Sequence, residues 1–114
     1  MPSVDELSAR LGVRLPEGTR VLGVDSETGI DDLVRAKVEI SKAHLTSFLA
    51  TTAIPRFEQV DADILGPDRE FWDPHKASNL RVGDVQLPNA RFLVVAIDES
   101  RPQVAVLYLI NHGT

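Results

Sequence analysis

Between residues 33 and 40, Val34, Ala36, Val38 and Ile40 alternate with Arg35, Lys37 and Glu39. This is the period-two pattern of a strand with one buried and one wet face. The preceding stretch predicts a partner for it. After Pro16 and Gly18, the residues Val21, Leu22 and Val24 suggest a strand, and "DSETGID" is rich in turn formers, with Gly29 free to adopt a positive φ. Strands over 19–26 and 31–40 are therefore expected to pair as a hairpin. At Ser41 the period changes: "SKAHLTSFLATT" places Leu45, Phe48 and Leu49 on one helical face with Ser41 as cap, which predicts a helix over 41–52 packed on the sheet. A shorter helix over 4–11 is predicted by the capping-box pattern of Ser3 and Glu6, by Val4, Leu7 and Leu11, and by Gly12 at the exit.

The carboxyl end differs. "RFLVVAID" and "QVAVLYLIN" are apolar on both faces and are joined by "ESRP", so they read as a second hairpin at the centre of the sheet. Such strands need cover on both sides. The helix from Ser41 can supply one cover; the other must come from the amino-terminal helix, the middle segment or a second subunit, which makes a homodimer one expectation. The middle segment, 53–90, is irregular. Phe57, Val60 and Ile64 have the spacing of a short helix, but Pro55, Pro67, Pro74, Pro88, Gly66 and Gly83 interrupt it, so loops are expected there. The fold class that follows is α+β: one domain over 1–114, with an antiparallel sheet of four to five strands from two hairpins, one main helix on a face and a short amino-terminal helix.

Composition narrows the class of function. The chain has 114 residues and is near globular averages in apolar and charged content, without cysteine, so disulfide frameworks, thiolate catalysis and Cys-ligated zinc are excluded. No apolar run approaches the roughly 20 residues that span a bilayer, and the amino end lacks a signal-peptide layout. As given, the chain reads as soluble and untargeted, and a trimmed extracytoplasmic domain would read the same. The net charge of −5 is localised: from Glu58 to Asp73 six acids stand against Arg69 alone, while acids and bases balance elsewhere. That segment would repel a phosphate backbone, which argues against nucleic acid and for a basic protein partner or a cation.

Within this segment "REFWDPH" holds the only Trp of the chain beside His75, Glu70 and Asp73, with Asp68 just upstream. Catalysis is weakly supported: no GxSxG or SxxK motif, glycine-rich phosphate loop or evident carboxylate pair is present, and no catalytic residues are assigned. Asp73 could orient His75 as a base, or His75 could be an ordinary surface residue. His44 is expected at a helix surface and His112 at a frayed end. No metal or other cofactor is assigned either. Asp61, Asp63 and Gly66 fall at calcium-loop positions, but Leu65 and Trp72 occupy two that require ligands, and the three His are far apart. Phe71 and Trp72 must bury or be presented. Buried, Trp72 would pin the loop with Pro74 stiffening its exit; exposed, it would form with Phe71, Asp68, Glu70, Asp73 and His75 a binding lip.

The order of "GIDDLVRAKVEI", a helix ending in "FLA", the "FWDP" loop and the closing "VAVLYLINHGT" resembles small uncharacterised lipoprotein-like domains of actinobacteria, over about residues 20–112. The resemblance implies an extracytoplasmic, non-enzymatic domain tethered through a lipidated Cys, which this chain lacks, and it supplies no catalytic residues. The expectation is a non-catalytic protein-binding domain, immunity-like or envelope-associated, presenting an acidic aromatic loop. The alternative is a small enzyme or a ligand- or cation-binding domain using the loop of Asp73 and His75.

Overall fold

The computed structural model describes residues 2–28, 32–88 and 90–113. Six antiparallel strands form one sheet: β1 (Arg20–Glu27), β2 (Leu33–Ser41), β3 (Glu58–Gln59), β4 (Leu80–Leu87), β5 (Arg91–Asp98) and β6 (Val104–Gly113), in the spatial order β1-β2-β6-β5-β4-β3. The two expected hairpins are its frame, and β6 lies between β2 and β5, where its doubly apolar sequence belongs. The Gly29 turn of the first hairpin lies outside the described residues. Strand β4, with the two-residue β3 at its edge, extends the sheet beyond the four to five strands expected.

Two helices, α1 (Val4–Leu11) and α2 (Leu45–Thr52), both lie on one face. Ser3 caps α1 as its sequence requires, its Oγ accepting from the Glu6 amide at 3.1 Å, and Gly12 leaves the helix at φ 75°. The helix expected from Ser41 begins later. Ser41 ends β2, Lys42–His44 form a 3-10 turn, and the α-helix starts at Leu45. Leu7, Leu11, Leu45 and Phe48 pack on Ala36, Val38, Leu93, Val95, Leu107 and Leu109 to form the larger core. No described helix is long and apolar enough to cross a membrane.

The opposite face is covered by the middle segment. No α-helix forms over Phe57–Ile64, because these side chains serve different surfaces. Phe57, with Ile54, packs at the helix-side core beside Gly83, where a Cβ would lie 2.6 Å from Ile54 Cγ2. Past β3 the chain rounds the β4 edge, turns through a 3-10 segment at Ala62–Leu65, and buries Leu65 and Trp72 against Leu80, Ala96, Val106 and Tyr108 on the other face. The second cover is thus a loop, built from the chain's own acidic segment.

Candidate functional site

Trp72 points inward. It is 1% exposed, its indole N–H donates to the Leu65 carbonyl at 3.0 Å, and its ring meets Tyr108 edge-on with centroids 5.2 Å apart. A tight turn aims it: Arg69 and Trp72 exchange backbone hydrogen bonds at 2.7 and 2.6 Å, with Glu70 between them at φ 37°. A positive φ at a residue with a side chain is strained, and the paired bonds offset that strain. Phe71 is half-buried on the other side of the turn against Gly23 of β1, where a Cβ would fall 2.1 Å from its Cγ. The register of β1 shifts between Val21 and Gly23, and the bulge presents the bare glycine backbone to the ring.

Asp73 also turns under the loop. Its Oδ1 accepts from Lys37 Nζ at 2.6 Å and from the Tyr108 hydroxyl at 2.8 Å, both on the sheet. Burial alone would raise the Asp73 pKa, but the bonds from Lys37 and Tyr108 outweigh it and hold the carboxyl below its ordinary value. Burial, and then the Asp73 carboxylate, push the Tyr108 hydroxyl well above its ordinary range, so it stays a donor. Asp73 therefore does not orient His75, and the acid–base pair suggested by their spacing is not formed.

His75 is instead clamped by two other carboxylates. Its Nδ1 lies 2.7 Å from Asp68 and its Nε2 2.6 Å from Asp63, while its backbone N–H donates to Asp68 at 3.2 Å. The hydrogen bonds to Asp63 and Asp68 raise the His75 pKa, and the bond to His75 lowers that of Asp68. A protonated ring donates to both acids; a neutral one can donate to only one. Asp61, Asp63 and His75 also each offer one ligand atom, all within 4.8 Å of one another, so this exposed trio could hold a cation. Sequence spacing alone missed this convergence, since His75 is twelve residues from Asp63; the calcium-like start of the loop at Asp61 and Asp63 was its one signal.

Of the six candidate binding residues, the structure withdraws Trp72 from the surface, half-buries Phe71 and Asp73, and leaves Asp68, Glu70 and His75 exposed. His112 is not frayed. It belongs to β6 and stacks on Phe92 with centroids 5.4 Å apart. Beside it a groove of about 390 Å³ runs over the sheet, with Val82, Val94 and Ile110 as its floor and Ile64 and Leu65 of the 3-10 segment as its wall. No protein-family model, curated protein or solved structure matches the chain.

Proposed function

We propose that this chain is a non-catalytic protein-binding domain, immunity-like or envelope-associated in setting, whose acidic loop receives a basic partner. The observation that carries this reading is the division of the loop into an inner and an outer set of side chains. Trp72, Leu65 and Asp73 hold it from below, while Asp61, Asp63, Asp68 and Glu70 remain exposed around the turn. A negative surface on a fixed backbone favours encounter with a positive one and loses little entropy on binding. Phe71 and Trp72 contribute by fixing the loop rather than by forming the contact surface.

The test is cross-linking capture from the native cell extract, with the double variant Asp61→Asn and Glu70→Gln as comparison. A basic protein captured by the unmodified chain, released by raised salt and not captured by the variant, is the expected result. Capture that ignores the neutralised charges would reject the reading.

A second reading, cation binding by the same loop, is favoured by the convergence of Asp61, Asp63 and His75. It requires saturable binding of Zn²⁺ at neutral pH that His75→Gln abolishes; a featureless titration calorimetry trace excludes it.

A further inference from the structure

The cross-strand register divides the loop-side face of the sheet into rows. Glu39, Val106, Asp98 and Leu80 form one row, and Lys37, Tyr108, Ala96 and Val82 the next. The acidic segment covers the middle of both, with Leu65 and Trp72 on Leu80, Val106, Ala96 and Tyr108. The third row, Arg35, Ile110, Val94 and Asp84, is only partly covered, and the groove lies along it. Ile64, 66% exposed and the only large aliphatic side chain so exposed among the described residues, stands at its edge. The stacked pair Phe92 and His112 continues the apolar surface beyond.

The acidic side chains that line this groove are Glu58, which Arg56 pairs at 3.3 Å, and Asp84. Asp63 and, two residues earlier, Asp61 precede the wall residue Ile64 in sequence. Among the described residues Asp61 and Asp84 have no cationic partner. At the opposite end of the row, Arg35 is engaged by Asp25 and Glu27 at 3.1 and 3.3 Å. An apolar slot with a carboxylate rim suits an apolar side chain flanked by cations. A second copy of the chain would bring the same acids against themselves, which disfavours it as occupant.

Resting on the binding function proposed above, we infer that the groove is the anchor pocket of the interface: it takes one large apolar side chain from a basic segment of the partner protein, while Asp84 and Glu58 face the flanking cations. Affinity then has two separable parts, charge from the rim and burial from the slot. The burial part alone is worth about tenfold or more for a leucine-sized side chain.

Three acetylated pentapeptide amides separate these parts: Lys-Arg-Leu-Arg-Lys, the same peptide with Ser replacing Leu, and Glu-Glu-Leu-Glu-Glu. Methyl NMR of Ile64, Val82, Val94 and Ile110 reads the groove directly. The leucine peptide with basic flanks is expected to shift these methyls and to bind about tenfold more tightly than the serine peptide, with the acidic peptide weakest. In Ile64→Ser, a surface change that leaves both cores intact, the leucine advantage should shrink while binding of the serine peptide persists. Equal binding of the leucine and serine peptides overturns the anchor pocket and leaves the charge-based reading standing. Binding of the acidic peptide as tight as that of the basic one, or of neither, overturns both. Methyl shifts that depend on protein concentration without peptide would give the groove to a second copy and reject the basic occupant.

Discussion

The two faces of this sheet are covered in different ways. On one, α1 and α2 lay Leu7, Leu11, Leu45 and Phe48 over an aliphatic surface, and the core is continuous. On the other, a proline-interrupted loop is held by one indole, one carboxylate and a tight turn. Regular cover comes from periodic apolar residues and needs few polar contacts. Irregular cover has to place each hydrogen bond individually, as the indole bond to Leu65 and the twofold acceptance by Asp73 show. The second design also leaves a row of the sheet half open and a surface of carboxylates facing out, the surface on which the proposed binding rests.

The strongest way to separate the two covers is to remove a large side chain from each. Trp72→Ala is expected to cost about 3–5 kcal/mol and Leu107→Ala about 2–5 kcal/mol. Their character should differ. Denaturant melts followed by amide exchange should show the tryptophan variant losing protection first over 58–79, and the leucine variant losing it throughout the sheet. Identical protection patterns would mean that the loop and the helix-side core form one cooperative unit.

Gly23→Ala acts on the seam between loop and sheet. The new methyl would displace Phe71, at a cost of about 1–3 kcal/mol, and Phe71→Ala should largely rescue it, since the three atoms nearest the new methyl all belong to that ring. Thermal melts of the single and double variants decide this. Asp73→Ala leaves the Tyr108 hydroxyl and the Lys37 ammonium without their acceptor and is expected to cost about 1–3 kcal/mol. Asp73→Asn should cost less, because its amide oxygen still accepts.

The clamp on His75 gives the smallest effect, one that depends on pH. The folded His75 pKa is raised, so the stability it contributes is complete below about pH 6.5 and is lost as pH rises through the folded value. Asp68 works in the opposite direction. Its lowered pKa contributes stability that is complete above about pH 3.9 and is lost as pH falls through the folded value. The loop is tightest between these limits. NMR titration of the His75 ring should give a higher midpoint in the folded protein than in the urea-unfolded chain. Coincident midpoints would remove the clamp.

How legible each cover was follows from the same contrast. The alternation at Val34–Ile40, the doubly apolar β5 and β6 and the capping box at Ser3 each express a local period, and each element formed where its period indicated. Strand β4 was hidden because Gly83 opens its middle for Ile54 and Phe57, while Asp84 and Gln86 keep its exposed positions polar. The residues Phe57, Val60 and Ile64 matched a helical period by coincidence, since the chain uses them on opposite sides of the sheet. For the loop, spacing left Trp72 either buried or presented and offered Asp73 as one possible partner of His75; the structure buries the indole and gives His75 to Asp63 and Asp68. Asp73 is nearer in sequence, yet Lys37 and Tyr108 claim it from strands some 35 residues away. Contacts of that range carry no periodic signal.

Because Trp72 is the only tryptophan, its fluorescence reports the loop cover alone. In the folded protein its emission should be blue-shifted and resist acrylamide quenching, and both properties should be lost when the chain unfolds. Red-shifted, freely quenched emission from a protein whose far-ultraviolet circular dichroism is native would place the indole outside and contradict a loop anchored from within.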